Sequence, residues 1–259
     1  MKIGLYGVGM VGSQVKNWFE SQGYEVISYD KDKSIGSPKE VNEADIIFIC
    51  VPTPYSEGKE YDLSIINEVI EGIPNGKTVV IKSTVNPGTT DAYQEKYPNK
   101  VFMFNPEFLT EMTAEEDFRK PDMQILGVPY QGYEQASKIL MMLPKATVMR
   151  IVSPIDAEWI KKIRNAFYSV KVTFFNQIYD IMEKSGGDYE TVRSVIVNDP
   201  NIGNSHSFIF HKGYRGFGGK CLPKDTYSLI DFARRLGVEP ELLAVTRKIN
   251  EKLNVGTKN

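Results

Sequence analysis

The sequence predicts an α/β protein in which a doubly wound parallel sheet is followed by a helical region built on one long helix. Three features predict this fold. Short apolar strand patterns alternate with amphipathic helical patterns up to about residue 152. A glycine-rich turn joins the first strand pattern to the first helical pattern. From Ser153 a helical pattern continues for about 30 residues, so we predict two domains, 1–152 and 153–259.

The first domain contains seven predicted strands. They lie at Lys2–Tyr6, Glu25–Asp30, Ile46–Val51, Thr78–Lys82, Val101–Phe104, Gln124–Val128 and Ala146–Val152. Helical patterns at residues 10–22, 63–73 and 134–142 separate several of them. This alternation predicts a Rossmann-like parallel sheet, in which ligands bind beyond the carboxyl ends of the strands.

The second domain is predicted to be helical. Its long helix begins at Pro154 with Ser153 as the cap and ends before Gly186. Further helices are predicted at Asp188–Val197, Lys224–Leu236 and Pro240–Leu253, with an irregular segment at 198–215 and a frayed end at 254–259.

The charge and the cysteine content of the chain indicate which partners and which cellular compartment to expect. The chain has 31 basic and 33 acidic residues, a formal charge of −2, which gives no indication of nucleic acid or an anionic membrane as a partner. Its two cysteines favour a reducing compartment, and Cys50 closes an apolar strand pattern. No apolar run approaches the ~20 residues that span a bilayer. We therefore expect a cytoplasmic protein with a small-molecule ligand.

The glycine-rich turn predicts a dinucleotide site. It consists of Gly7, Val8, Gly9, Met10, Val11 and Gly12. The first glycine suits a tight turn, the second a close approach of the pyrophosphate, and the third packing of the helix on the strand. Asp30 ends the second strand pattern, 18 residues beyond Gly12, where it can accept hydrogen bonds from ribose hydroxyls. An acid there favours NAD over NADP, although Lys31 and Lys33 argue partly the other way.

Three loops follow predicted strands and should meet at one edge of the sheet. They contain Val51-Pro52-Thr53-Pro54, Ser83-Thr84 and Asn105-Pro106-Glu107-Phe108-Leu109-Thr110-Glu111. Prolines and hydroxyl residues are also ordinary loop formers, so each motif alone has a structural interpretation. Their recurrence after successive strands favours a binding site.

The long helix carries two distinct faces. Its apolar face contains Ile160, Ile163, Phe167, Val170, Phe174 and Ile178, and is long enough to pack a partner subunit as well as its own domain. Lys161, Asn165 and Asn176 share a polar row, because their spacings of four and eleven residues are close to whole helical turns. The row predicts either a functional face or an exposed polar stripe.

Cys221 is a candidate nucleophile. Four glycines within 213–219 precede it, and Pro223 suits the first turn of the following helix. Backbone N–H groups at a helix N-terminus favour a thiolate, and Lys224 adds a positive charge. The alternative is a small apolar residue that closes a turn. The only histidines, His206 and His211, flank this loop, so carboxylates and lysines should do most of the acid–base chemistry.

These motifs resemble the UDP-glucose/GDP-mannose dehydrogenase family of nucleotide-sugar 6-dehydrogenases. The resemblance rests on the glycine turn with Asp30, the three strand-end loops, Lys161 with Asn165, and the segment from Gly216 to Asp225, in the family's order over essentially the whole chain. It implies a four-electron oxidation of a sugar C6 alcohol to a carboxylate, with two NAD molecules reduced. It also implies a homodimer through the long helix.

The resemblance implies a role for each matching residue. The catalytic positions are Cys221 as nucleophile through a thiohemiacetal and a thioester, Lys161 for oxyanions, Asn165, Glu107 as general acid/base, and Asp225 beside the cysteine. The cofactor positions are the glycine turn, Asp30, Val51, Pro52, Thr53, Ser83, Thr84, Glu111 and Lys224. The substrate positions are Phe108, Leu109, Lys161, Asn165, Phe210, Gly213, Tyr214 and Gly218. The family provides no metal site.

Two expectations follow for the geometry of this site. Folding should bring the sulfur of Cys221 and the amine of Lys161 to the nicotinamide end of a dinucleotide bound at the glycine turn. Desolvation there should raise the pKa of a carboxyl and lower that of a lysine.

The sequence departs from the family at two places. Family members continue past the helix at 240–253 into a second α/β domain, which implies a reduced site, completion by another chain, or lost activity. Asn201 stands where the family usually has an arginine, for which Arg215 is a possible replacement. Two alternatives stay open: a two-electron β-hydroxyacid-type dehydrogenase, and a silent binding protein for NAD or a nucleotide sugar.

Overall fold

The computed structural model describes residues 1–58, 60–211, 213–219 and 221–253. Lys220 of the glycine-rich motif and the predicted frayed end at 254–259 lie outside the described residues. The chain forms two compact units. The first contains Met1–Ser56 and Tyr61–Lys161, and the second contains Glu57–Glu60 and the chain from Lys162 onward.

The first unit is built on a mostly parallel sheet. The elements up to the long helix are β1 Lys2–Tyr6, α1 Met10–Ser21, β2 Glu25–Tyr29, α2 Pro38–Val41, β3 Ile46–Ile49, β4 Tyr55–Ser56, β5 Glu60–Tyr61, α3 Ser64–Gly72, β6 Thr78–Ile81, α4 Thr89–Lys96, β7 Val101–Phe104, α5 Ala114–Arg119, β8 Met123–Gly127, a 3-10 turn Tyr130–Gly132, α6 Tyr133–Met142 and β9 Val148–Val152. Seven strands form the sheet in the order β2-β1-β3-β6-β7-β8-β9. The predicted doubly wound fold is thereby confirmed.

Strand direction departs from the prediction at one step. β8 pairs with β7 in antiparallel direction, with Phe104 opposite Gly127, whereas the other neighbouring strands of this sheet run parallel. Hydrophobic periodicity reports which residues are buried on each face and carries no information on strand direction. The alternation of patterns therefore could not predict this reversal.

Both faces of the sheet are covered by helices, as expected for parallel strands. In β3 the side chains of Ile46 and Phe48 join one apolar cluster, while Ile47 and Ile49 join a second cluster on the opposite face. The pleat thus buries every residue of β3, which explains why the strand reads as a continuous apolar run.

The long helix α7 spans Pro154–Ser185, 32 residues, close to its predicted bounds. Ser153 caps its first turn, since the N–H of Asp156 donates to Oγ of Ser153 at 3.3 Å and that hydroxyl donates to the Asp156 carboxylate at 2.5 Å. Gly186, with φ of +79°, ends it, and the next N–H returns to the carbonyl of Met182 at 3.0 Å.

The second unit is mainly helical. After the part of α7 from Lys162 onward it contains α8 Tyr189–Ile196, the short hairpin strands β10 Phe210–His211 and β11 Tyr214–Arg215, α9 Leu222–Arg235 and α10 Glu241–Leu253. α9 lies against α7, where the hydroxyls of Ser169 and Thr226 are 2.7 Å apart and both are buried. Among the described residues, no helix combines the length and apolar character needed to cross a membrane.

Candidate active site

The turn after β1 has the backbone shape that its glycines predict. Gly7 has φ of +85°, and a Cβ there would lie 2.7 Å from the carbonyl oxygen of Cys50. A Cβ on Gly12 would lie 1.9 Å from the carbonyl oxygen of Gly7, so glycine is required for α1 to pack on the turn. A Cβ on Gly9 would meet no described atom within 4 Å. The open space at Gly9 and the N-terminus of α1 together suit a pyrophosphate.

Asp30 follows β2 and contacts the same turn. Its Oδ2 accepts a hydrogen bond from the N–H of Val8 at 2.7 Å, and its Oδ1 accepts one from the N–H of Lys33 at 3.0 Å. A carboxylate has about four acceptor positions, so ribose hydroxyls can still bind. The ammonium of Lys33 donates to the carbonyl of Val8 at 2.6 Å, which engages this cation with the turn itself. These residues therefore fit NAD.

The loops after β3 and β6 are joined directly, as their positions at neighbouring strand ends predict. The hydroxyl of Thr53 donates to the carbonyl of Thr84 at 2.7 Å, and the hydroxyl of Ser83 donates to the carbonyl of Val51 at 2.7 Å. Thr53 and Ser83 are buried, whereas Pro52 is exposed. The hydroxyls thus fix two loops at the sheet edge beside the glycine turn.

A buried ion pair lies in the loop after β7. The ammonium of Lys161 donates to Oε1 of Glu107 at 2.7 Å and to the backbone carbonyl of Glu107 at 2.8 Å. The other carboxylate oxygen, Oε2, accepts from the N–H of Leu109 at 2.9 Å. The side chains of Lys161 and Glu107 are only 4% and 8% exposed, so water screens the pair weakly. The predicted acid and the predicted lysine are therefore in contact.

The expected direction of the carboxyl pKa is wrong at Glu107. Burial favours the neutral acid, but the Lys161 ammonium, the N–H of Leu109 and the charge of Lys82 together outweigh burial and hold the pKa of Glu107 below its usual value. Desolvation alone would raise this pKa, whereas the pairing with Lys161 decides its direction.

The neighbours of Glu107 in the same loop have different environments. The ring centre of Phe108 lies 5.9 Å from the ammonium of Lys161, and Leu109 packs partly against the core. Glu111, predicted to contact the cofactor, is exposed on the surface. The carboxylate of Glu107 is thus buried and held by its contacts, whereas that of Glu111 lies at the surface.

In the second unit, Cys221 occupies the cap position of α9, as the position of Pro223 predicts. The N–H of Asp225 donates to the Cys221 carbonyl at 2.9 Å, which closes the first turn of the helix. Cys221 and Lys224 are both half-buried. The sulfur is therefore attached to a rigid helix end.

Asn165 and Asp225 form a buried polar pair beside that helix end. The side-chain amide of Asn165 donates to Oδ2 of Asp225 at 2.5 Å, and their side chains are 5% and 1% exposed. Lys161 and Asn176 are also buried. The polar row of α7 is therefore no exposed stripe, and this alternative is excluded.

The glycine loop that precedes Cys221 is shaped by its glycines. Gly213, Gly216 and Gly219 have φ of +84°, +78° and +73°. The amide oxygen of Asn250 accepts from the N–H of Phe217 at 2.7 Å, where a Cβ on Gly216 would lie 2.4 Å from that oxygen.

Tyr214 lies beside Gly218, where a Cβ would be 2.8 Å from the tyrosine hydroxyl, and Phe210 is 61% exposed. The predicted substrate positions in this loop thus include both packed and accessible groups.

Arg215 is held by α7. Its guanidinium donates to the side-chain oxygen and the carbonyl of Asn176, each at 3.1 Å, and pairs with Asp180 at 2.8 Å. The guanidinium also lies 5.0 Å from the ring centre of Tyr179, and these contacts stabilise the hairpin of β10 and β11. The structure therefore gives Arg215 a local role, and its role as the replacement for the arginine missing at 201 stays a prediction.

Lys82 and Glu158 are among the buried ionisable residues that were not predicted as site residues. Lys82 follows β6, and its ammonium donates to Oδ1 of Asn105 at 2.6 Å. Glu158 of α7 accepts from the N–H groups of Gly88 and Thr90 at 2.6 and 2.9 Å and from the hydroxyl of Thr90 at 2.6 Å. Lys82 could have been identified from the sequence, because it is a lysine that directly follows an apolar strand pattern. Glu158 could not, because the residues that it contacts lie far away in the sequence.

Profile comparisons match both parts of the chain to one family. Residues 34–142 match the "UDP-glucose/GDP-mannose dehydrogenase family, NAD binding domain", and residues 155–252 match the central domain of the same family. NAD is thus the cofactor that the first unit binds, which agrees with the geometry of the glycine turn and Asp30.

Individual proteins support the same relationship. UDP-glucose 6-dehydrogenase of Rhizobium meliloti is 30% identical over 97% of this chain and 68% of its own length. That of Rickettsia felis is 32% identical over 82% of this chain and 49% of its own length. A solved UDP-glucose dehydrogenase of Pyrobaculum islandicum superposes with a TM-score of 0.84 at 26% identity, over 97% of this chain and 68% of that protein. This chain thus spans between half and about two thirds of these relatives.

Proposed function

Because this chain belongs to the UDP-glucose/GDP-mannose dehydrogenase family, we propose that it oxidises the C6 alcohol of a nucleotide sugar to a carboxylate with NAD. The buried pair of Glu107 and Lys161 carries this proposal. An acid and an ammonium held in one geometry at the sheet edge suit proton transfer and oxyanion stabilisation. The cofactor would supply the hydride acceptor in both oxidation steps.

The proposed reaction proceeds through a covalent bond to Cys221. The alcohol loses a hydride and a proton to give an aldehyde, and the Cys221 thiolate adds to the aldehyde carbon as the oxygen takes up a proton, which forms a thiohemiacetal. Loss of a second hydride and a proton gives a thioester. Water then attacks the thioester carbonyl, the carbon–sulfur bond breaks, and the products are the carboxylate, two protons and the original thiolate.

The side chains have separate roles in this proposal. Lys161 stabilises negative charge on the substrate oxygen, and Glu107 accepts the proton of the attacking water. Asn165 orients the sugar or that water, and Asp225 holds Asn165 through the contact of 2.5 Å. The low pKa of Glu107 keeps this carboxylate ionised, as a base requires. Cys221 and Lys161 belong to different units, so their meeting at the nicotinamide stays a prediction.

We also propose that the protein is a homodimer through α7. In the second unit, Ile163, Phe167, Phe174 and Ile181 are 56–62% exposed. Their spacings of four, seven and seven residues place them in one row of the helix. A row of large exposed apolar side chains at this spacing is typical of a helix that packs against a second helix.

The function is tested by incubating the full chain with NAD and UDP-glucose, GDP-mannose or UDP-N-acetyl sugars, with NADH and product mass as readouts. We expect two NADH per sugar acid formed. A single NADH per sugar would indicate a two-electron dehydrogenase, and tight NAD binding without turnover of any sugar would indicate a binding protein.

Cys221→Ser is the first variant to compare. We expect it to abolish acid formation, because a serine hydroxyl does not give the thiolate that the covalent step needs. Cys50→Ser is the matched control, since burial raises the pKa of the Cys50 thiol to about 12 and keeps it protonated. Acid formation at an unchanged rate in Cys221→Ser would contradict the covalent mechanism.

A further inference from the structure

The ammonium of Lys82 is buried and donates hydrogen bonds to uncharged groups. Its side chain is 4% exposed, and the hydrogen bonds of Nζ go to Oδ1 of Asn105 at 2.6 Å and to the Asn105 carbonyl at 3.4 Å. Both acceptors are uncharged. Burial lowers the pKa of Lys82 to about 8, although Cys50 and Glu107 act in the opposite direction. Such an arrangement is costly, because a buried charge is normally compensated by an adjacent opposite charge.

Lys82 and Lys161 hold the same loop from two sides. Lys82 binds the carbonyl of Asn105, and Lys161 binds the carbonyl of Glu107, two residues further along. The side-chain amide of Asn105 also donates to Oε1 of Gln124 at 2.9 Å and to the carbonyl of Ile125 at 2.7 Å. The backbone that leads into Glu107 is therefore fixed from β6, β8 and α7 together.

A small cavity joins Lys82 to Glu107. Its volume is about 20 Å³, and the residues that line it include Lys82, Glu107, Asp117 and Gln124. A cavity holds one water when it offers roughly 10–15 Å³ and two to four polar partners, and this one meets both conditions. A water there can accept from Lys82 and donate to the Glu107 carboxylate.

We propose that Lys82 is a positioning residue for Glu107: it fixes the loop at Asn105 and, through one water in this cavity, provides the carboxylate with a second positive charge. This inference rests on the proposed role of Glu107 as a base. The charged or titratable groups around Glu107 are Lys161 from α7, Lys82 from the end of β6, Asp117 from α5 and Cys50 from the end of β3. Lys82 thereby supports the ionised form of Glu107 together with Lys161.

The test measures the ionisation of Glu107 without turnover. Difference infrared spectra between each protein and its Glu107→Gln counterpart isolate the carboxylate band of Glu107 as a function of pH. We expect Lys82→Met to raise the midpoint of this titration by about one pH unit, because an opposite charge near a carboxyl lowers its pKa by roughly that amount or more. In Lys82→Arg, which keeps the positive charge, the midpoint of Glu107 should stay close to that of the native protein.

Lys100→Met is the matched control. Lys100 is also 4% exposed in the same unit, and its ammonium also donates to a backbone carbonyl, that of Ile70 at 2.8 Å. Lys100→Met should therefore leave the titration midpoint of Glu107 unchanged. An unchanged midpoint in folded Lys82→Met, or equal shifts in both variants, would overturn the proposal.

A reciprocal measurement covers the case in which Lys82→Met does not fold. Coupling between two sites is mutual, so Glu107→Gln should lower the titration midpoint of the Lys82 ammonium in NMR spectra of labelled lysine. No change there would also overturn the proposal. If no variant or native protein oxidises any sugar, the proposed function fails, whereas both titrations still decide the role of Lys82.

Discussion

At the scale of single residues, the partner of a buried charge has more effect than its burial. Glu107 and Glu158 are both buried carboxyl groups. Glu107 contacts the ammonium of Lys161, and its pKa is lowered. Glu158 accepts from two backbone N–H groups and a hydroxyl, which do not compensate burial, and its pKa is raised to about 7. The same residue type is thus ionised at one position and close to half-protonated at neutral pH at the other.

We expect Lys161→Met to lower the free energy of unfolding by about 3–5 kcal/mol, because it leaves the buried Glu107 carboxylate without its cation. The double variant Lys161→Met/Glu107→Gln should recover part of this loss. Urea unfolding measures both. Lys16→Met is the control, since it removes a more exposed pair with Glu20 and should change stability by less than about 0.5 kcal/mol. Equal losses at positions 16 and 161 would show that the Glu107 pair is not a stabilising contact.

The raised pKa of Glu158 predicts that the free energy of unfolding falls as the pH rises. Its pKa of about 7 in the folded chain lies above the ordinary value of 4.5, so between these values the folded state binds more protons than the unfolded state. The contribution is complete below pH 4.5 and is lost by about pH 7, with an upper magnitude on the order of 3 kcal/mol. Glu158→Gln should flatten this slope in thermal unfolding between pH 5 and 8. An identical slope in the variant would contradict the shifted pKa.

At the scale of elements, the glycine turn separates a packing requirement from a binding requirement. Gly12 has no room for a Cβ because the carbonyl of Gly7 lies in that position, whereas Gly9 has room and should be needed only where the pyrophosphate approaches. The same motif thus contains one glycine that the fold requires and one that the ligand requires.

We therefore expect Gly12→Ala to lower the free energy of unfolding by about 3 kcal/mol, through overpacking between β1 and α1. Gly9→Ala should keep the native stability but weaken NAD binding by about tenfold or more, because a methyl group blocks the approach of the phosphate. Thermal unfolding and titration calorimetry with NAD distinguish the two effects. Native NAD affinity in Gly9→Ala would place the pyrophosphate elsewhere.

At the scale of the whole molecule, α7 is the element that belongs to both units. Its buried side supplies Glu158, Lys161 and Asn165, while its exposed side presents Phe167 and Phe174. If two copies pack through that exposed side, the dimer contact lies on the side of α7 opposite to Lys161 and Asn165.

We expect the double variant Phe167→Glu/Phe174→Glu to be monomeric at concentrations where the native chain is dimeric. The glutamates of the two copies would repel each other, and the buried apolar contact of the phenylalanines would be lost. Sedimentation velocity measures this directly. Lys184→Glu, an exposed change on the same helix, is the control and should leave the native state unchanged. A monomeric native chain would exclude the dimer.

Local signals account for what could be predicted from the chain. The seven strands of the main sheet, the caps of α7 and the start of α9 each depend on residues within one turn or one strand, so periodicity, Ser153, Gly186 and Pro223 were enough to predict them. The two-residue strands β4, β5, β10 and β11 are too short for a periodic pattern and were not predicted. The glycine turn with Asp30 is similarly local, since one βαβ unit contains it. The family's order of motifs then connected these segments to one chemistry.

The charge states and partners of the site residues were decided by tertiary structure. Glu107 and Lys161 are 54 residues apart, and Asn165 and Asp225 are 60 apart, so no local pattern relates them. The reversed direction of β8 and the buried position of Lys82 have the same origin, because periodicity reports burial but gives neither strand direction nor the identity of a neighbour. A pKa depends on those neighbours, and it therefore becomes defined only when the chain folds.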